Sequence, residues 1–279
     1  MNSISFGQFY PSNSFIHKLD PRVKIIIAIA YIAASFLCTN AASFGLLFLS
    51  AFALILLSRI PLRIIFKSLK AIIFIMAFTA VLNVFLTSTP NATPIFSWTI
   101  FPWLIISIYE AGIYNAAFIV IRIIAMIIGT SVFLTYTTTP IQLTDAIEQL
   151  LAPLKVFKLP VHEFAMMMTI ALRFIPTIIE ETEKIMAAQK ARGADFTTGS
   201  PIKRVKALIP IIIPLFISAF RRAGELATAM TCRCYRGGKG RTKLNRLKFG
   251  YRDLIIVVVA VLFIVGILLL NTLKLGYSM

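Results

Sequence analysis

The stretch 111-AGIYNAAFIVIRIIAMIIGTSVFLTY-136 carries one charged side chain, Arg122, in an otherwise apolar run. About 20 such residues in a helix reach across the hydrocarbon of a bilayer. Four further runs share the pattern: Val23–Cys38, Ala41–Leu57, Ala71–Leu86 and Leu254–Leu270. All are continuous instead of alternating with period two, so helices and not barrel strands are the expected spanning form. Several are short and must borrow flanking residues or thin the bilayer locally. Composition agrees, with 58% hydrophobic residues, 14% charged residues and a mean hydropathy of +0.87. A globular chain carries about a quarter of its residues charged. The expected fold class is all-α, a polytopic helical membrane protein.

The formal net charge of +17 would suggest nucleic acid in a soluble protein. Position argues otherwise. Apart from Arg122 and Lys274, every Lys and Arg precedes the first run or, as Lys24, opens it, follows the second, or falls between Thr137 and Arg252. That asymmetry matches the positive-inside rule, so the N-terminus is expected in the cytoplasm and no nucleic-acid partner is implied. Asp20 and Pro21 suit the N-cap and first turn of the first span. The external stretch Thr87–Tyr109 reads as an irregular loop, with Pro90, Pro94 and Pro102 beside the interfacial Trp98 and Trp103. Arg122 costs ~3 kcal/mol in mid-span unless it faces protein or water. With no acid in the spans as an obvious partner, a bond to helix carbonyls is favoured over a contact in a moving interface. Cys38 lies at a span end, and Cys232 with Cys234 forms a C-x-C without a second ligand pair, so no metal site is expected.

Three regions follow: 1–136 with four spans, 137–252 at the cytoplasm or membrane interface, and 253–279 with the last span and tail. The middle region is neither apolar enough to be all membrane nor polar enough to float free. After a short helix closed by Pro153 and a methionine-rich run (Met166, Met167, Met168), a charged helix is expected from Pro176 to Arg192. Pro176 suits its first turn, Glu180, Glu181 and Glu183 its positive dipole end, and Glu180 pairs with Lys184 at i,i+4. Arg192 falls in the last turn of this helix, and Gly193 can take a left-handed cap. After a break at Gly199–Pro201 and the interrupted run Ile209–Pro214, a last helix is expected over about Leu215 to Arg236. Ala219, Ala223, Leu226, Met230 and Arg233 fall on one stripe of it, and Ala219, Ala223 and Ala227 form a ridge another helix could cross closely. Two long amphipathic helices thus each end in an arginine. A guanidinium at a helix tip suits bidentate pairing with a partner's carboxylates. Equally, these arginines could serve topology by contacting lipid phosphate or their own carbonyls.

Several blocks together resemble the transmembrane T component of energy-coupling factor (ECF) transporters. They are Gly7-Gln8-Phe9-Tyr10, His17-Lys18-Leu19-Asp20-Pro21-Arg22, Thr137-Thr138-Thr139-Pro140 and Leu150-Leu151-Ala152-Pro153-Leu154-Lys155. Further on come Ala171-Leu172-Arg173-Phe174-Ile175-Pro176, Ala188-Gln189-Lys190-Ala191-Arg192-Gly193-Ala194 and Tyr235-Arg236-Gly237-Gly238 with Arg241-Thr242. The resemblance implies that two Ala-Arg-Gly motifs end the coupling helices and dock into paired ABC-type ATPases, identical or different. The first is intact as Ala191-Arg192-Gly193. In the second, Cys232-Arg233-Cys234 stands where Ala-Arg-Gly is usual, so the docking role carries to Arg233, with Arg236-Gly237 as a rival register. Also implied are a substrate-binding S component, contacted by Met166, Met167, Met168, Ala219 and Ala223, and import of vitamins or other micronutrients across a prokaryotic plasma membrane. No P-loop is present, so ATP and Mg belong to the partner ATPases. The chain itself is then a non-catalytic subunit with no directly bound cofactor, in contact with lipid.

Two other classes fit the residues less well. A stand-alone secondary transporter or channel wants ionisable groups at the midplane and paired broken helices, and the spans offer only Arg122. A membrane-embedded enzyme wants clustered acids or histidines, whereas His17 and His162 lie far apart and Asp145 with Glu148 reads as a helix start.

Overall fold

A computed structural model describes residues 9–12, 14–86, 96–101, 104–157, 159–194, 196, 200–237 and 249–273. Among these residues eight α-helices follow in chain order: α1 (Pro21–Leu37), α2 (Ala41–Ser58), α3 (Leu62–Leu86), α4 (Glu110–Thr130), α5 (Pro140–Leu150), α6 (Val161–Ala191), α7 (Pro201–Cys232) and α8 (Tyr251–Thr272). Short 3-10 turns occupy Ile16–Lys18 and Ala152–Phe157, and α4 runs on into a π-helical turn, Ser131–Tyr136. The polytopic helical reading holds. By length and composition, α2, α3, α4 with its π turn, α6 and α8 can each cross a membrane, while α1 has 17 residues. The expected irregular loop is corrected at one place. Phe96–Phe101 (β1) and Leu104–Ile108 (β2) pair as an antiparallel hairpin, with Trp98 opposite Ile106 and an irregularity between Thr99 and Phe101. Aromatic and β-branched residues on both strands favour this pairing. Pro90, Pro94, Pro102 and Trp103 lie outside the described residues.

The chain forms two compact units, Gly7–Ala146 with Leu247–Met279, and Ile147–Arg246. The first is a bundle in which α4 packs against α1, α2 and α3, and α8 against α1 and α2. Val23, Ile27, Ala28, Tyr31 and Ala34 of α1 are buried with Phe44 and Leu47 of α2, Ala125 and Ile128 of α4, and Ile267 of α8. Gly129 lets α4 approach closely, since a side chain there would collide with the Tyr31 ring. Phe44 stacks on Phe118 at 4.6 Å between ring centroids.

Buried polar groups tie the ends of this bundle. Asp20 caps α1, its Oδ1 accepting from the Arg22 amide at 2.9 Å, with Pro21 in the first turn, as the sequence suggested. Lys24 is 1% exposed; its Nζ donates to the Thr137 carbonyl at 2.8 Å and the His17 carbonyl at 3.3 Å. The Asp253 carboxylate of α8 accepts from the Asp20 amide (2.8 Å) and the Gly250 amide (2.7 Å). The π turn leaves carbonyls without helical partners. The Thr137 and Thr138 hydroxyls both donate to the Phe133 carbonyl, and the Tyr10 amide takes that of Tyr136. At the other end Asn40 donates to the Leu270 and Asn271 carbonyls, and Asn271 donates back to that of Leu37. Arg122 donates to the Cys38 carbonyl at 3.0 Å and lies over the Phe36 and Phe44 rings. The intramembrane arginine therefore bonds to a carbonyl where α1 ends.

Candidate functional site

The second unit holds the residues singled out at the helix tips. Here the sequence-based boundaries need correction. Pro176 does not open a helix; it lies inside α6, which is continuous over 31 residues. Pro210 and Pro214 likewise lie inside α7, which ends at Cys232, not Arg236. A proline inside a helix removes one i→i−4 bond and bends the helix, but flanking turns and packing can carry it through. Glu180, Glu181 and Glu183 are therefore mid-helix, away from the dipole end. Among the described residues no ion pair joins Glu180 to Lys184.

The two tips are built alike. At the end of α6, Arg192 is the C-cap, the Gly193 amide donates to the Lys190 carbonyl (3.0 Å), and the Ala194 amide to that of Gln189 (3.0 Å). At the end of α7, Arg233 is the C-cap, the Cys234 amide donates to the Thr231 carbonyl (2.9 Å), and the Tyr235 amide to that of Met230 (3.0 Å). Both are the paired 5→2 and 6→1 closure that ends a helix through one left-handed residue. Gly193 supplies that residue at φ +86° and Cys234 at φ +55°. Residue for residue, Ala191-Arg192-Gly193 and Cys232-Arg233-Cys234 occupy the same cap positions. Arg236 and Gly237 lie beyond the helix, so the rival register does not coincide with a cap.

Arg192 and Arg233 are both exposed, and neither side chain bonds to a described residue. Cys232 and Cys234 are free, exposed thiols beside Arg233. Glu181 on α6 faces Ser218 and Arg222 on α7, while Met166, Thr169, Ile170 and Arg173 line one cavity with Met230 and the α7 tip. Numbers fall along one helix as they rise along the other, so α6 and α7 run antiparallel and their arginines sit at opposite ends of the pair. The structure separates the two tips instead of bringing them together.

The residues suggested for a membrane partner divide. Met167 and Met168 are 58% and 40% exposed, while Met166 is half-buried against the α7 tip. Ala219, Ala223 and Ala227 are exposed, so α6 does not cross on that ridge. Sequence reasoning missed the larger apolar surface on α7, where Ile202, Val205, Ile213, Phe216, Ile217 and Phe220 are each more than half exposed. The apolar run around Ile209–Pro214 was its signal. No group of three His, Cys, Asp or Glu gathers among the described residues to hold a metal ion. Glu148 instead meets His162 Nδ1 at 3.0 Å.

A bundle whose helices are long and apolar enough to cross a bilayer, with an antiparallel helix pair that ends in two exposed arginine caps, defines a polytopic helical membrane protein. A family model described as cobalt transport protein, CbiQ, matches residues 12–244. An energy-coupling factor transporter transmembrane protein EcfT of Ruminiclostridium cellulolyticum is 48% identical over 271 residues, covering 97% of this chain and 98% of the relative. The EcfT proteins of Clostridium kluyveri and Bacillus subtilis are 49% and 46% identical, covering 91% and 92% of this chain and 92% and 94% of theirs. The chain belongs to this CbiQ/EcfT family of transmembrane components of energy-coupling factor transporters.

Proposed function

We propose that the chain couples two ABC-type ATPase subunits to a substrate-binding membrane subunit in an importer of vitamins or other micronutrients. One observation carries the reading. Two helices of one unit end in the same cap, and each presents an exposed guanidinium with no partner among the described residues. An unpartnered arginine at a rigid tip is suited to bidentate pairing with carboxylates in a neighbour's groove. Because the tips lie at opposite ends of an antiparallel pair, one arginine serves each ATPase. Closure of the ATPases on ATP then shifts both helices. The exposed apolar face of α7, with Met167, Met168 and the alanine ridge, passes that shift to the substrate-binding subunit. Methionine and small residues suit a surface that must repack as a partner moves. ATP and Mg belong to the partners, and this chain hydrolyses nothing. On the charge asymmetry, the tips and the N-terminus face the cytoplasm.

The test is Arg192→Glu with Arg233→Glu in the assembled transporter. Capture of the ATPases on the tagged chain and nutrient uptake in vesicles should both be lost. Wild-type capture and uptake by that double variant would refute the coupling role.

A further inference from the structure

We infer that Glu181, held by Ser218 and Arg222, is the pin that makes α6 and α7 move as one. This deepens the coupling reading and rests on it. Glu181 Oε2 accepts from Arg222 Nη2 at 2.7 Å and Oε1 from Ser218 Oγ at 2.5 Å, so both carboxylate oxygens are engaged by one face of α7. The side chains are only 24% and 33% exposed for Glu181 and Arg222, which shields the pair from solvent screening. By contrast the Arg221–Glu225 pair lies within α7 at 79% and 68% exposure and joins nothing to α6.

Position adds to chemistry. Arg192 lies eleven positions after Glu181, and Arg233 eleven positions after Arg222. At 1.5 Å per residue the pin stands about 16 Å from each arginine, in opposite directions. The internal prolines lie on the far side of it from the tips: Pro176 precedes Glu181 on α6, and Pro214 precedes Ser218 on α7. Each proline lacks the amide that would close its turn, so bending concentrates there, while the arms from pin to tip are uninterrupted helix. Without a cross-link the two arms would bend independently at their prolines. With it, displacement of one arginine is transmitted to the other arm. Glu181, Ser218 and Arg222 are thus positioning residues: they act through the arms and touch neither nucleotide nor cargo.

The experiment uses the complete transporter in vesicles and reads substrate imported per ATP hydrolysed. Glu181→Gln should lower that ratio about tenfold or more, the scale set by losing a charge-assisted bond, while ATPase capture and complex yield stay at wild-type levels. Ser218→Ala should lower it less. The exchange Glu181→Arg with Arg222→Glu should restore it. An unchanged ratio in Glu181→Gln overturns the pin, as does loss of the assembled complex, which would mark a merely structural bond. An exchange that restores yield but not the ratio overturns it too. Failure of the coupling reading itself looks different, because it appears as wild-type uptake by the Arg192/Arg233 double variant.

Discussion

The bundle and the α6–α7 pair solve opposite problems with the same element. In the bundle, Leu47, Phe44, Val132 and Phe133 are nearly sealed, and even Lys24 and Asp253 are enclosed with their bonds made within the unit. In the pair, among the described residues, α6 buries only Val161 and Ala165, and α7 only Ile211. Its large apolar residues face outward, and its two terminal arginines have no partner among the described residues. Stability drawn from burial scales with the apolar area removed from contact with the surroundings. The bundle is therefore expected to hold its own shape, and the pair to depend on what covers it. Substitutions in the first should register as stability, and substitutions in the second as transport.

The sharpest break of that contrast is the Arg192→Glu, Arg233→Glu variant. Uptake should fall by about a hundredfold or more, because each tip then repels the carboxylates it is proposed to meet. Thermal unfolding of the purified chain in mild detergent should be unaltered, and a lowered midpoint would mean the tips support their own fold. Next in size is Lys24→Met, which leaves the Thr137 carbonyl unbonded and removes the cation facing Asp20 and Asp253. It should cost the bundle about 3 kcal/mol, read by denaturant titration in detergent. A loss below about 1 kcal/mol would show the enclosed lysine to be dispensable.

The two caps sharpen the comparison inside the pair. Gly193 takes a left-handed conformation without strain, whereas Cys234 takes it with a side chain in place. Cys234→Gly should stabilise the α7 tip by about 1 kcal/mol and Gly193→Ala should weaken the α6 tip by a similar amount. Amide exchange over Thr231–Tyr235 and Lys190–Ala194 would measure both, and equal exchange in all forms would contradict the assigned cap. The smallest effect concerns His17 in the bundle. Burial pulls its imidazole below its usual value, opposed by its bond to the Tyr10 carbonyl, with the Lys24 charge adding to the fall. The Tyr10 oxygen takes the Nε2 proton, which leaves Nδ1 to accept from Ser14 Oγ at 2.6 Å. The folded state thus favours neutral imidazole. Its contribution is complete above about pH 6.5, where the unfolded histidine is also neutral, and declines as pH falls toward the lowered folded value. Unfolding midpoints at pH 7.5 and 5.5 should differ more for wild type than for His17→Asn.

Much of this was legible from residue order because it is local. Five apolar runs, the Asp20-Pro21 helix start and the Arg192-Gly193 helix end all depend on neighbours within a turn. What failed to show was non-local, or was two readings of one signal. Pro176 looks the same opening a helix as bending one, and only the packed chain tells them apart. Cys234 conceals a left-handed cap because glycine is its usual marker. Glu181 resembles its neighbours Glu180 and Glu183 in sequence. Its bond to Arg222 depends on where two antiparallel helices meet, which no spacing rule encodes. The 96–108 hairpin was hidden by the prolines around it.

The elbow between α1 and α2 has a consequence for the lipid. Helices of 17 and 18 residues extend about 26 Å, some 4 Å less than a hydrocarbon slab of about 30 Å. The Asn40 and Asn271 bonds hold that elbow at the end of α8, and Arg122 binds it through the Cys38 carbonyl, so it cannot stretch outward to close the gap. The leaflet at this end of the bundle is then expected to come down to meet it. Acyl chains along this flank are expected to compress into a shallow dimple, so that the protein would carry with it a patch of membrane thinner than its surroundings.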